Sequence, residues 1–238
     1  MGTLEDKKMS VSIVITHYND YEYLSATLGS CLVQDVPIEI ILVNDSANVS
    51  FKYFFKYTKL ISGVIDNYIV NQQNIGLAES RDIGIKVAKN DLIICLDTQD
   101  WLYPHVLGKM VKAIEDVDIV YGNMTEKDDG HIHVPPGKDG ITIEGMKKLN
   151  QLWCTSLFRK SIWEKVDGFK NGLHTSYEDY FMYNKCLMAG AKFKYINELI
   201  YRHTYNPNSM LSKLHKNTDY YNELARQPLY RNNLMYEL

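Results

Sequence analysis

Four short apolar runs recur through the first half of the chain, and each one stops at a cluster of polar or acidic side chains. Val11-Ser12-Ile13-Val14-Ile15-Thr16 leads to His17-Tyr18-Asn19. Ile38-Glu39-Ile40-Ile41-Leu42-Val43 leads to Asn44-Asp45-Ser46. Val64 to Val70 leads to Asn71-Gln72-Gln73-Asn74, and Leu92-Ile93-Ile94-Cys95-Leu96 leads to Asp97-Thr98-Gln99-Asp100. Such runs read as strands buried on both faces. Between them lie segments with helical spacing: Leu24, Leu28, Cys31 and Leu32 over 20–33, a helix over 50–60, and another from Gly76 to Lys89. Strands alternating with helices predict an α/β fold with a mostly parallel central sheet flanked by helices. Ligands of such sheets bind beyond the carboxyl ends of the strands, where the four polar clusters fall together.

The second half is less regular. Pro104 to Glu115 predicts a helix and Val117 to Tyr121 a fifth strand. Residues 125–143, rich in Gly, Pro, Asp and His, predict a surface excursion, and 159–166 a short helix. Tyr177 to Ala189 predicts a helix opened by Glu178 and Asp179, with Phe181, Cys186 and Leu187 as its apolar positions. Phe193 to Ile196 and Leu199 to Arg202 follow as short strands. Residues 211–238 predict a helical tail, in which Leu214, Tyr221, Leu224 and Leu229 stand among charges. That tail suits packing, a homodimer contact or a membrane surface. A chain of 238 residues is expected to hold one domain plus this tail.

Several classes are disfavoured. The net charge is -3 and no dense Lys/Arg run occurs, so a nucleic-acid partner is not expected. No apolar stretch approaches the roughly 18 residues of a membrane span, and Met1 to Ser10 lack the apolar core of a secretory signal. Cys31, Cys95, Cys154 and Cys186 fit no zinc spacing and read as reduced thiols. The expected location is cytoplasmic, with peripheral contact at the inner face of a membrane as the variant.

Individual residues carry two readings each. On the helix from Gly76, the positions Leu77, Arg81, Gly84, Ile85 and Ala88 share one face, which should be buried, and a buried guanidinium needs a partner. That partner is a structural carboxylate or a ligand. Asp45, Asp97 and Asp100 fit turns or caps as well as a binding cleft. Glu178 and Asp179 fit the electrostatics of a helix start. His203 alone reads as a strand histidine, and Trp101 and Trp153 as core residues or sugar platforms.

The order of five blocks adds to this. Val11 to Asn19, Ile41-Leu42-Val43-Asn44-Asp45-Ser46, Asn74-Ile75-Gly76-Leu77-Ala78-Glu79-Ser80-Arg81-Asp82-Ile83-Gly84, Leu96-Asp97-Thr98-Gln99-Asp100 and Tyr177-Glu178-Asp179-Tyr180 together resemble the family 2 glycosyltransferases of the GT-A fold. The resemblance spans about 9–210, with a nucleotide-binding half over 9–121 and an acceptor-side half over 122–210. It implies transfer of a sugar from a nucleotide-diphosphate sugar, uridine-linked in the usual case, to an acceptor hydroxyl on a carbohydrate or glycoconjugate, with inversion, in polysaccharide or glycoconjugate synthesis. By position, Thr16, Tyr18, Asn19, Asp45, Asn74, Arg81 and Asp97 match nucleotide-sugar contacts, with Asp45 toward the base. Asp179 matches the catalytic base and Glu178 the acid before it. Asp97, Gln99 and His203 match the ligands of a divalent cation, Mn²⁺ or Mg²⁺.

Gln99 departs from the pattern, which has an aspartate there. Its amide oxygen ligates without charge, so weaker metal binding is expected, with Asp100 as the residue placed to compensate. The rival expectation is a family member of low or no turnover that only holds nucleotide-sugar. A nucleotidyltransferase would need a glycine-rich basic loop where His17-Tyr18-Asn19-Asp20 stand, and a dinucleotide oxidoreductase would need GxGxxG there.

Overall fold

The computed structural model describes residues 9–46, 63–126, 131–169 and 177–204. The helix expected over 50–60 and the tail over 211–238 lie outside these residues. In chain order the elements are β1 (Val11–His17), α1 (Tyr21–Leu32), β2 (Ile38–Asn44), β3 (Asn67–Val70), α2 (Leu77–Val87), β4 (Leu92–Asp97), β5 (Trp101–Leu102), α3 (Val106–Ala113), β6 (Ile119–Glu126), β7 (Ile132–His133), α4 (Ile143–Met146), β8 (Leu157–Arg159), α5 (Lys160–Lys165), α6 (Glu178–Met188) and β9 (Phe193–His203). The strands form one sheet in the order β3-β2-β1-β4-β8-β6-β9-β5, with β7 paired to β6.

The first four strands are parallel: β1 lies between β2 and β4, and β3 pairs with β2. Every residue of β1 is buried, which explains its near-continuous apolar sequence. Alternate side chains serve opposite faces. Ile13 and Ile15 pack with Leu24, Leu28 and Met110 on one side, and Val14 packs with Ile85 and Cys95 on the other. The register aligns the strand ends, with Thr16 opposite both Val43 and Asp97, His17 opposite Asn44, and Asn44 opposite Val70.

α2 closes tightly on this sheet because of Gly84. A Cβ there would lie 2.5 Å from Val14 Cγ1 and 3.1 Å from Val43 Cγ2. On α1 the expected apolar stripe stops early. Cys31 is fully buried, but Leu32 is 55% exposed, because consecutive helical residues point about 100° apart and only one can face the sheet.

The second half of the sheet is mixed. β8 runs antiparallel between β4 and β6, and at three residues it is too short to show a periodic signal. β6 extends past Tyr121 to Glu126, and the excursion after it returns through β7. The two strands expected over 193–202 are one, β9, whose pairing with β6 shifts register beside Gly122. There the backbones approach so closely that a Cβ on Gly122 would lie 2.8 Å from the Ile196 carbonyl oxygen and 2.9 Å from that of Glu198. No helix among the described residues is long and apolar enough to cross a membrane.

Candidate active site

The carboxyl end of β4 turns back immediately after Asp97. The turn is closed by Asp100 N–H donating to the Asp97 carbonyl at 2.9 Å. It is pinned from below: the Thr98 hydroxyl donates to the Thr16 carbonyl at 2.5 Å, and the Thr27 hydroxyl of α1 donates to the Thr98 carbonyl. The buried Thr98 fixes the turn, and the Asp97 side chain stays 36% exposed at the crevice.

Behind Asp97 stands Arg81. The expected face of α2 is inward: Arg81, Gly84, Ile85 and Ala88 are buried and Leu77 is half-buried. Arg81 is 1% exposed, and its terminal nitrogens go to two carboxylates, Nη2 to Asp97 Oδ1 at 2.8 Å and Nη1 to Glu178 Oε1. Its Cζ lies 5.5 Å from the Phe169 ring centroid. The guanidinium therefore joins β4 to the start of α6, which are 81 positions apart in the chain at Asp97 and Glu178. Burial pushes the Glu178 carboxyl up to about 7, against the pull of Arg81 and with Asp179 adding to the rise. The Asp179 carboxyl is also raised, first by burial; Arg81, the backbone at Tyr180 and Asn150 act in the opposite sense. A carboxylate raised by burial is a stronger proton acceptor than one in water.

Asp45 organises the loop between β3 and α2. Its Oδ1 accepts from Asn71 Nδ2 and Ile75 N–H and its Oδ2 from Gly76 N–H, each at 2.9 Å. It thus holds the segment that leads into α2. Asn19 has a left-handed backbone (φ 61°), and its N–H donates to Ser46 Oγ at 2.8 Å, tying the loop after β1 to that after β2. Tyr18 is 51% exposed, and Asn19 and Asn74 are exposed.

Among the described residues no group of three or more His, Cys, Asp or Glu is arranged to hold a metal ion. The expected set, Asp97, Gln99 and His203, includes a neutral amide, and its donors still suit a divalent cation. Both Asp97 hydrogen bonds fall on Oδ1, which leaves the lone pairs of Oδ2. His203 Nδ1 lies 3.1 Å from Asp100 Oδ1, the arrangement that fixes an imidazole with its Nε2 lone pair available to a metal. Burial works to lower the His203 pKa, but the hydrogen bond and charge of Asp100, with Asp97 and Glu126, carry it above the usual value. Asp100 is itself buried, 3% exposed, and also accepts from Thr204 N–H at 3.1 Å. It thus orients the His203 ring. A crevice holding Asp97, Glu178 and Asp179 against a single guanidinium would also repel a diphosphate that came without a cation.

The family model for glycosyl transferase family 2 matches residues 12–183. The chain belongs to that family. Among curated relatives, this glycosyltransferase family member is 34% identical over 116 residues to the uncharacterized glycosyltransferase YwdF of Bacillus subtilis, covering 48% of this chain and 42% of the relative. It is 25% identical over 217 residues to EpsJ of the same organism, covering 84% and 62%. The chain thus spans less than two thirds of these relatives. Among solved structures it resembles Staphylococcus aureus TarS 1–349 in complex with UDP-GlcNAc, with a TM-score of 0.70 at 19% identity over 86% of this chain and 61% of that one. It also resembles the mannosyltransferase PcManGT of Pyrobaculum calidifontis in complex with GDP-Man and Mn²⁺, with a TM-score of 0.65 at 13% identity over 95% and 68%. The fold is the GT-A fold of glycosyltransferases.

Two side chains of this family member, near the strand ends and Asp179, take no role from the sequence. His17, at the end of β1, is 2% exposed with neither ring nitrogen partnered, and packs edge-on to Tyr21 at 4.2 Å between centroids. Asn150 donates from Nδ2 to Asp179 Oδ2 at 3.0 Å. His17 falls inside the first of the five blocks but takes no role from it, and Asn150 sits in the irregular segment before β8. Trp101 and Trp153 are half-buried, and Arg202 lies over the Trp101 ring at 5.1 Å.

Proposed function

We propose that the chain transfers a sugar from a nucleoside-diphosphate sugar, uridine-linked, to an acceptor hydroxyl with inversion at the anomeric carbon, in the making of a polysaccharide or glycoconjugate. The observation that carries this reading is the convergence on Arg81 of Asp97 from β4 and Glu178 from α6, with Asp179 beside them. One acid at the donor side and one at the acceptor side of a shared crevice are what a single displacement at carbon requires. The UDP-GlcNAc complex of the structurally similar TarS supports the uridine choice.

In this reading Thr16, Tyr18, Asn19 and Asn74 line the nucleotide. Asp45 shapes their loop and borders the base. Arg81 acts on the donor through Asp97, because its own terminal nitrogens are taken up by carboxylates. Asp97, Gln99 and His203 would hold Mn²⁺ or Mg²⁺. That ion, when bound, neutralises charge on the departing diphosphate. Asp179 removes the proton of the attacking hydroxyl, and Glu178 keeps Arg81 in place behind it. The catalytic unit covers 9–210, and the 211–238 tail serves packing, with a dimer or membrane contact as the alternative.

Asp179→Asn tests the reading. Turnover should fall by about 10²–10⁴-fold, as for loss of a general base, while the nucleotide-sugar affinity stays within about twofold. Near-normal turnover in this variant would refute the base. A thermal-shift panel of UDP- and GDP-sugars with and without Mn²⁺ identifies the donor, and no shift with any of them would remove the nucleotide-sugar.

A further inference from the structure

We propose that Asn150 is a positioning residue for Asp179: its side-chain amide holds the carboxylate in the orientation from which it accepts the proton of the attacking hydroxyl. The inference rests on the reading of Asp179 as the base and extends it into the irregular segment before β8. The 3.0 Å bond from Nδ2 to Asp179 Oδ2 is the one hydrogen bond this side chain makes among the described residues. At the other end of the amide, Oδ1 is buried and unpartnered. A buried acceptor without a partner destabilises a fold, and an apolar side chain would avoid that cost. The amide is therefore poorly explained by packing and well explained by its donor.

The segment that delivers Asn150 is fixed to the helix that carries Asp179. Next to it, the Gln151 carbonyl accepts from Gly137 N–H and the Gln151 Oε1 from Thr142 N–H, both at 2.9 Å. From the first turn of α6, the Tyr180 hydroxyl donates to the Met146 carbonyl at 2.7 Å. Asn150 sits where these ties meet. The titratable groups around Asp179 are Arg81 on α2, Asp97 on β4, Cys154 before β8, Glu178 and Tyr183 on α6, and Tyr201 on β9. The Arg81 nitrogens are engaged with Asp97 and Glu178, so the side-chain donor that orients Asp179 is the amide, beside the backbone N–H at Tyr180. Its N–H favours the ionised carboxylate and opposes the upward push of burial.

The test compares wild type, Asn150→Ala, Asn150→Asp and Asp179→Asn in the full chain. The probe is the UDP- or GDP-sugar giving the largest thermal shift, and the readout is nucleoside diphosphate released with water as acceptor. In Asn150→Ala, kcat should fall about tenfold with donor KM within about twofold, and the acid limb of the pH profile should move up by roughly one unit. Asn150→Asp keeps the volume and sets a second carboxylate against the first, so its acid limb moves further. It also carries the test if the alanine variant does not fold. Acid limbs that superimpose on wild type in the folded variants overturn the proposal, whatever happens to kcat. If Asp179→Asn is inactive in that case, only the role of Asn150 is lost; if Asp179→Asn turns over normally, the base reading itself is lost.

Discussion

Replacing His17 by leucine should remove an acid-labile element from the fold. The wild-type imidazole is 2% exposed with neither nitrogen hydrogen-bonded, and burial lowers its pKa from 6.5 to about 4. The folded-state value is depressed, so below pH 6.5 the unfolded chain takes up a proton that the native chain refuses. The stability from a neutral His17 is complete above the unfolded pKa and is lost as pH falls toward the folded one. With those two values, the loss is about 1.4 kcal/mol at pH 5.5 and about 2.6 kcal/mol at pH 4.5. Glu178 works in the opposite sense. Its carboxyl is raised from 4.5 to about 7, so the native chain gains stability as pH falls through that window. Asp179, Asp100 and His203 are raised as well, so these groups oppose the His17 effect in wild type and mask it there. The difference between wild type and His17→Leu isolates the imidazole. Urea unfolding at pH 7.5, 6.5, 5.5 and 4.5 gives it directly. The gap should shift in favour of the variant by the amounts above. A gap independent of pH would show that His17 is solvated or hydrogen-bonded, and the argument from its burial would fail.

Two further outcomes are expected. Gly84→Ala forces a methyl to within 2.5 Å of Val14 Cγ1, and such overpacking costs about 1–3 kcal/mol, read as a drop in thermal midpoint; an unchanged midpoint would mean α2 sits further from the sheet than described. Gln99→Asp adds a charge to the proposed cation site and should tighten Mn²⁺ binding about tenfold, measured by calorimetry with UDP present; weaker or equal affinity would place Gln99 outside the ligand set.

The parts of the fold legible in the sequence were those where burial acts on both faces of a strand. β1, β2 and β4 are near-continuous apolar runs because helices cover each side. β8 was not legible, since three residues carry no period, although it joins the two halves of the sheet. β9 read as two strands because the exposed Asn197 interrupts it beside the Gly122 crossing. In the site, helical spacing alone put the Arg81 guanidinium inside, but not the identity of its partners: Glu178 is 97 positions away, and only the fold brings it there. The resemblance suggested the acids one by one. The indirect contacts, Asp100 on His203 and Asn150 on Asp179, depend on distances that no motif encodes.

The buried guanidinium also acts as a mechanical weld. Asp97 ends a strand of the parallel half, Glu178 opens a helix of the mixed half, and Arg81 grips both. The excursion between β6 and β8 hangs outside that joint. Apart from the stretch at Met146 and Asn150 that is tied to α6, its length and side chains can change while the spacing between Asp97 and Glu178 stays locked.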